Sequence, residues 1–391
     1  MRDRLLSKLL WRYYALGFCR NLGFISAVLV PFFTDWGNLS LAQVQLLQSW
    51  FMLWIFLLEI PTGVIADRWG RKRSVVIGTI ISILGMLIYG LVPRLEIFLV
   101  CELLLAFGCA CMSGAREAWM YDLLTSCRRT GLADVIFARA QAWNLAGLVV
   151  AAPIGSWMAA TWGMNTPMLA WGAAQFCTLF FALSLPEKNF TKRNQQSYTT
   201  ILTKSWAFIR IEPRFFWLTL NLATINISGY FVIWLYQPLL RTYHTPISTF
   251  GWYHVLLVVI QIMIMQNYPT QLRLIGSRHR YLIISALFVF IGYLLALFIP
   301  NSLGVMGFLC LAGGFGLTRS RIGDAYLAEL LPANERASLL SSSAMFGRLL
   351  LTIANPVIGY LSDHSLIWAL GALTLLPLVT IGLGLFRPIK A

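Results

Sequence analysis

Several charged side chains lie inside long apolar runs of this 391-residue sequence, among them Arg20, Glu59, Glu102, Arg319 and Arg348. Charged groups inside a membrane are costly, and they usually face a water-filled cavity or a charged partner. A guanidinium binds carboxylate or phosphate through two parallel hydrogen bonds, and a carboxylate in low-dielectric surroundings can take up a proton. The pattern therefore predicts a positively charged site for an anionic solute, together with a proton-binding acid.

We expect the substrate to be held between the two halves of the chain, by Arg20 on one side and by Arg319 or Arg348 on the other. Three polar residues of the seventh apolar run complete the predicted substrate-binding set: Asn226, Tyr236 and Gln237. In the alternative interpretation the arginines bond to backbone carbonyls or to such polar side chains, because intramembrane charges are often structural.

Glu59 and Glu102 are the predicted proton-coupling residues. At a rise of 1.5 Å per residue, Arg20 and Glu59 both lie about 12 Å from the predicted inner surface, and Glu102 enters a similar distance from the outer surface. We therefore expect Arg20 to cluster with one of these acids near the middle of the membrane. Permanent ion pairing is the alternative role for both acids.

The elements that position these residues follow from composition. Hydrophobic residues make up 58% of the chain and charged residues 12%, an excess that excludes soluble, disordered and disulfide-stapled proteins. A spanning helix needs about 20 mostly apolar residues. The sequence predicts an all-α membrane protein with twelve transmembrane helices, at 11–34, 42–66, 74–93, 95–118, 138–162, 166–185, 216–240, 250–270, 281–300, 303–326, 338–361 and 365–386.

The distribution of basic residues predicts the orientation. Lysines and arginines outnumber acidic residues by 30 to 15. They concentrate in the predicted inner loops, whereas the outer loops hold only Arg94 and Arg241. Because such residues mark cytoplasmic loops, we expect both termini to be cytoplasmic, in a plasma membrane of the bacterial inner-membrane type. The same distribution accounts for most of the positive charge without a nucleic-acid partner.

A polar stretch at 187–214 divides the chain into a predicted N-terminal bundle at 1–186 and a C-terminal bundle at 215–391. The two halves resemble each other, because Glu117–Leu124 matches Asp324–Leu331 at an offset of 207 residues. Parallel repeats of six spans are a known transporter architecture, with the substrate site at the midplane between the halves. The sequence therefore predicts two pseudo-symmetric six-helix bundles joined by a cytoplasmic linker.

A basic loop after the second predicted span contains five residues of a recognisable pattern: Gly63, Asp67, Arg68, Gly70 and Arg71. This loop resembles the signature loop of the major facilitator superfamily, in both its sequence and its position. The resemblance implies an inner gate, in which Asp67 bonds to the start of the eleventh span and Arg71 bonds to Asp122 at the end of the fourth. A second-half copy near Gly276 lacks the aspartate, so we expect the gate to be asymmetric.

These features together predict a secondary transporter that works by alternating access and is not an enzyme. An ATP-driven pump needs a glycine-lysine phosphate loop, and no Gly-Lys pair occurs in the sequence. No catalytic constellation or metal cluster is recognisable, and no cofactor is expected. The favoured function is a proton-coupled exporter of a small anionic or zwitterionic organic solute, acting as a monomer. The alternatives are an uptake symporter or exchanger for an organic anion, and a lipid or glycolipid flippase.

Overall fold

The computed structural model describes residues 2–187, 213–331 and 336–386. Most of the predicted linker at 187–214 lies outside the described residues. The described residues form fifteen α-helices: α1 (Arg2–Arg20), α2 (Leu29–Pro31), α3 (Leu41–Trp69), α4 (Arg71–Leu91), α5 (Leu95–Met112), α6 (Ala115–Ser126), α7 (Ala133–Trp162), α8 (Thr166–Ser184), α9 (Pro213–Thr242), α10 (Phe250–Ile275), α11 (Arg278–Phe298), α12 (Ser302–Phe308), α13 (Gly314–Leu330), α14 (Arg336–His364) and α15 (Leu366–Phe386).

Ten helical stretches within the described ranges are long and apolar enough to cross a membrane. The chain is therefore an all-helical integral membrane protein, as its composition predicts. The first and last of the predicted spans are not among the ten: α1 carries charged residues near its start, and the described apolar part of α15 is only Leu366–Gly382. The count of twelve and the six-plus-six bundle arrangement stay predictions.

The predicted first span at 11–34 is not one continuous helix. The helix α1 ends at Arg20, and residues 21–28 leave the helical path before the single turn α2 and a π-turn at Phe32–Trp36. Two glycines of α7 explain the break, because a Cβ at Gly147 would lie 2.5 Å from Phe18 O and one at Gly155 would lie 1.7 Å from Phe24 O. The backbone of the broken segment thus packs directly on the backbone of α7, as only glycine permits.

Backbone carbonyls in the last turn of α1 bond to side chains. Trp171 Nε1 and Gln175 Nε2 of α8 donate to Arg20 O at 3.3 and 3.0 Å, and Asn21 Nδ2 donates to Gly17 O at 2.9 Å. Inside a membrane such carbonyls need a partner within the protein. Trp171 and Gln175 of α8 therefore have a structural role, because they donate hydrogen bonds to the last carbonyl of α1.

The predicted fourth span at 95–118 is also interrupted. Helix α5 ends at Met112, and α6 begins at Ala115 after Gly114, whose φ of +68° belongs to the left-handed region that glycine adopts readily. As a result α6 extends eight residues beyond the predicted end. Arg116 and Glu117 lie in its first turn.

Contacts divide the described residues into two compact units. The first unit comprises the residues up to 187 except Ser40–Ser49, and it also takes Ile247–Gly251; the second comprises Ser40–Ser49 and the remaining described residues. The two segments begin 207 residues apart, the offset of the sequence repeat. Each half therefore contributes, at equivalent sequence positions, a short segment that is grouped with the other unit.

Hydrogen bonds hold each segment within its unit. In the second unit, Ser49 Oγ donates to Thr352 O at 2.8 Å. In the first unit, Ser156 Oγ donates to Ser248 O at 3.0 Å. Each unit also has its own apolar core: one includes Leu16, Val75 and Leu124, and the other includes Leu218, Leu282 and Leu327.

Candidate functional site

The signature loop connects α3 to α4 through one residue, Gly70, whose φ is +102°. A Cβ at Gly70 would lie 2.2 Å from Glu187 Oε1. The same carboxylate oxygen accepts the Lys72 backbone N–H at 3.1 Å, which satisfies a free amide in the first turn of α4. Lys72 Nζ in turn donates to Leu183 O and Leu185 O at 2.8 and 2.7 Å. The loop is thus fastened to the end of α8.

The ion pair expected between Arg71 and Asp122 is present in the structure. The Arg71 Nη1 to Asp122 Oδ2 distance is 2.5 Å, and Nη1 also donates to Ala118 O at 2.7 Å. The side chains are 11% and 27% exposed, so the pair is partly shielded from solvent. It fixes the start of α4 to the end of α6.

The other predicted gate residues, Gly63, Asp67 and Arg68, lie on α3. Asp67 and Gly63 are half-buried on α3, and Arg68 is exposed. The expected partner of Asp67 lies at the start of the eleventh span, and residues 332–335 there lie outside the described residues. Its contact with that span, and the gating role of the whole loop, stay predictions.

The second unit contains an ion pair at the equivalent place. Arg278, at the start of α11, contacts the Glu329 carboxylate at the end of α13. The Arg278 guanidinium also lies over the Tyr326 ring, 5.5 Å from its centroid. Gly276, with a φ of +84°, provides the turn before α11. The basic-acidic pair is therefore repeated, although the position corresponding to Asp67 is the exposed Leu274.

A charged cluster within the first unit surrounds Arg20. The Arg20 guanidinium is within hydrogen-bonding reach of Cys109, and its charged neighbours are Arg116 and Glu117. Arg116 is 9% exposed, and its Nη2 and Nε contact Glu117 Oε1 at 2.9 and 3.3 Å. The Glu117 carboxylate therefore contacts Arg116 and acts electrostatically on Arg20, so two positive groups are close to one negative group near the break between α5 and α6.

Polar groups from α1 and α7 complete this cluster. The Tyr13 hydroxyl is buried without a hydrogen-bond partner among the described residues, and it interacts electrostatically with both arginines. Asn144 of α7 is buried beside Gly17, where a Cβ would lie 2.4 Å from Asn144 Oδ1. We call Tyr13, Arg20, Arg116, Glu117 and Asn144 the arginine cluster.

The structure does not bring Arg20 to Glu102, so that part of the expected acid cluster is wrong. Glu102 is 5% exposed and accepts a hydrogen bond from the Tyr89 hydroxyl at 2.9 Å. It lies seven residues before Cys109, which is about 10 Å along α5. Glu59 is half-buried on α3 and is not among the charged neighbours of Arg20 in the described part of the chain. The interruption of both helices explains the error, because it places Arg116 and Glu117 beside Arg20 instead.

Arg319 does not face an open cavity, contrary to the expectation from sequence. It is 1% exposed. Its guanidinium donates to Asn221 Oδ1 of α9 at 2.5 Å, and to Leu282 O and Ser285 Oγ of α11. These bonds connect three helices of the second unit, so the structural interpretation holds for this arginine.

The remaining predicted substrate-binding residues also lie in the second unit. Gln237 Nε2 donates to the Tyr236 hydroxyl at 3.1 Å, and that hydroxyl lies 3.2 Å from His254 Nδ1. Both Tyr236 and Gln237 are fully buried, which indicates a packing role between α9 and α10. Asn226 and Arg348 are half-buried. Arg348 and Arg20 belong to different units, and the predicted clamp between them stays a prediction.

Sequence reasoning missed Tyr13, Arg116 and Asn144, and it used Glu117 only as part of a repeat. The sequence predicts one continuous span at 95–118, so it gives Arg116 and Glu117 no place at a helix break. The Ser113-Gly114 pair was the available signal, since glycine next to a charged pair inside an apolar run indicates a broken helix.

Comparison with known proteins agrees with this architecture. The family model described as Major Facilitator Superfamily matches residues 15–267. The chain is similar to the crystal structure of the nucleoside transporter NupG, with a TM-score of 0.78 and 16% identity over 96% of this chain and 98% of that chain. It is also similar to the POT family transporter PepTSo, with a TM-score of 0.73 and 12% identity over 98% of this chain and 99% of that chain. Identities this low establish the fold alone.

Two further relatives extend the comparison. A bacterial homolog of the human lysosomal transporter Spinster has a TM-score of 0.73 and 15% identity, over 98% of this chain and 96% of that chain. The D-xylose-proton symporter-like 3, chloroplastic, of Arabidopsis thaliana is 39% identical over 75 residues, which are 19% of this chain and 13% of that protein. This match covers only a short stretch of the curated relative.

Proposed function

Because the chain belongs to the major facilitator superfamily of secondary transporters, we propose that it carries a small organic anion or zwitterion and that the arginine cluster binds the solute. Family membership makes the chain a membrane transporter of small molecules. The class of solute, the coupling to protons and the direction of movement are the proposal.

One observation carries the proposed class of solute. The Arg116 guanidinium, 9% exposed, contacts the carboxylate of Glu117, and the Arg20 guanidinium lies within electrostatic range of both, so two positive groups are close to one negative group. An uncompensated positive charge inside a membrane is unfavourable, and a bound carboxylate or phosphate would neutralise it. Arginine suits such groups because its planar fork donates two parallel hydrogen bonds. The buried, unpartnered Tyr13 hydroxyl supplies a further donor among the described residues.

Glu117 is the acid that best fits proton coupling in this proposal. Its side chain is 48% exposed and contacts Arg116, so water can reach it while it remains bonded to a substrate-binding arginine. An anion that binds Arg116 competes with Glu117 for that guanidinium and favours the protonated acid. Glu59 and Glu102 remain the acids predicted from sequence, and the three are separable by experiment.

Binding to purified protein tests the class of solute. We would titrate a panel of small carboxylates, each with its neutral amide as a matched partner. Loss of a charge-assisted hydrogen bond costs about 1.5–3 kcal/mol, which is roughly 10- to 100-fold in affinity. Arg116→Gln should weaken carboxylate binding by this factor, whereas Arg94→Gln, an exposed arginine outside the cluster, should not. Equal binding of carboxylates and amides by the unmodified protein would refute the proposal.

Proteoliposomes with an imposed pH gradient test coupling and direction. Export by antiport, the direction predicted from the sequence, requires the solute to move against the proton flux, whereas symport requires both to move together. Glu117→Gln should abolish gradient-driven accumulation and leave exchange of labelled solute intact. If Glu59→Gln or Glu102→Gln has that effect instead, the coupling acid is the one predicted from sequence. We further propose a plasma-membrane location with both termini in the cytoplasm, and a monomeric unit of transport.

A further inference from the structure

A groove on the first unit lies between α1, α7 and α8, and it has no role in the proposed transport site. It encloses about 230 Å³. Two aromatic pairs form its walls: Trp11 with Phe181, at 5.8 Å between ring centroids, and Phe18 with Trp143, at 6.0 Å. Ala15, between Trp11 and Phe18 on α1, forms part of its lining. The groove runs about 12 Å along α1, from Trp11 to Cys19, at 1.5 Å per residue.

The groove opens on the outside of its unit. Trp11 is 60% exposed and Trp143 is 45% exposed, although both are large apolar rings. In a chain that spans a membrane, exposed apolar side chains of the helices face acyl chains rather than water. Tryptophan is also enriched where the acyl region meets the headgroups. The groove therefore lies in the lipid-facing surface.

Positive charge lies at one end of the groove. Arg139 is exposed on α7, one turn before Trp143, and its guanidinium lies close to the Tyr14 hydroxyl at the groove wall. Arg139 also lines a shallow depression with Ala142 and Ala146 that adjoins Trp143. Arg12 is exposed on α1 and donates from Nη1 to Ser184 O at 2.9 Å. Both arginines lie near the predicted membrane boundary.

We propose that the groove binds an anionic phospholipid, with the headgroup phosphate at Arg139 and one acyl chain between the two aromatic pairs. Basic pockets between helices at this level attract anionic headgroups, with about 1 kcal/mol for each basic residue. The adjacent aromatic walls give the acyl chain a fixed path. Charge at one end and an apolar trough at the other match a lipid better than a second protein helix, which would need a long continuous apolar face.

Fluorescence quenching of the full-length purified protein tests this site. Phosphatidylglycerol and phosphatidylcholine with brominated acyl chains are titrated separately, and the saturable part of the tryptophan quenching is measured. We expect phosphatidylglycerol to bind about fivefold more tightly. Trp11→Phe and Trp143→Phe together should lose the saturable part, whereas Trp157→Phe, a similarly exposed tryptophan on the same helix as Trp143, should keep it.

Two variants separate the charge from the groove. Arg139→Gln should abolish the preference for phosphatidylglycerol, so that both lipids bind equally. The matched control is Arg273→Gln, at an exposed arginine on α10, and it should retain the preference. Ala15→Phe fills the trough and should remove saturable quenching by both lipids. The proposal is overturned if the unmodified protein binds the two lipids equally, if Arg273→Gln loses the preference as Arg139→Gln does, or if Ala15→Phe still quenches saturably.

Discussion

Arg278 contacts Glu329 in the second unit at the place where Arg71 contacts Asp122 in the first, with both residues displaced by 207 positions (278 − 71 and 329 − 122). The two pairs differ in their exposure to solvent. The Arg71–Asp122 side chains are 11% and 27% exposed, whereas the Arg278–Glu329 side chains are 37% and 59% exposed. The repeat therefore preserves the contact but not its strength, because solvent screens the second pair.

Replacement of these acids should have unequal effects. Asp122→Asn leaves a shielded guanidinium without its charge partner and should cost about 1.5–3 kcal/mol of stability, with slower transport. The matched Glu329→Gln should cost less than about 1 kcal/mol. Thermal unfolding and turnover in proteoliposomes would measure both effects. Equal losses would mean that solvent exposure does not govern the strength of the two pairs.

Gly155→Ala should disrupt the interrupted first span. The new Cβ would lie 1.7 Å from Phe24 O, and because that atom belongs to the backbone it cannot rotate away. We expect a loss of at least the 1–3 kcal/mol that is typical of overpacking, seen as a lower melting temperature. Gly371→Ala on α15 meets no atom within 4 Å and serves as the control. An unchanged melting temperature for Gly155→Ala would show that the broken segment does not pack on α7.

Arg319→Met should impair stability rather than substrate binding. The substitution removes the guanidinium from the Asn221 amide oxygen and takes one of their bonds from Leu282 O and Ser285 Oγ, at a cost of about 1–3 kcal/mol. Adding Asn221→Leu should cost little more, because the two residues belong to one network. Melting temperature and solute affinity are measured on the same samples. If Arg319→Met loses affinity for the solute at an unchanged melting temperature, Arg319 has the substrate-binding role predicted from sequence.

Gln175→Leu removes the shorter of the two side-chain bonds to Arg20 O. We expect a loss of about 1–2 kcal/mol and weaker solute binding, because the end of α1 orients the Arg20 side chain. Thr178→Val on the same helix is the control. Its hydroxyl is buried without a partner among the described residues, so its removal should be neutral or stabilising. If both variants behave alike, the bond to Arg20 O does not position the cluster.

The helices themselves were largely predictable from the apolar runs. The predicted spans at 166–185 and 250–270 begin at the same residues as α8 and α10, because a change from polar to apolar composition marks where a span begins. The Arg71–Asp122 pair also followed from the sequence, through the resemblance of the signature loop to its family.

The charged cluster could not be predicted, because it depends on where helices break. The segment after Arg20 packs on α7 at two glycines more than 120 residues later in the chain, and no local pattern around Arg20 reveals this contact. The prediction for Glu102 assumed straight helices at uniform depth. Its actual partner, Tyr89, lies on a neighbouring helix, and pairing between helices depends on their rotation, which hydropathy does not specify.

The start of α6 at the Gly114 break has a consequence for charge selectivity. No side chain caps the first turn of this helix, so its amide dipoles present a fractional positive charge beside Arg116. A backbone dipole has no titratable proton and survives every side-chain replacement. Replacement of both arginines and of Glu117 by neutral residues should therefore leave a residual discrimination against cationic solutes, which only straightening the chain at Gly114 would abolish.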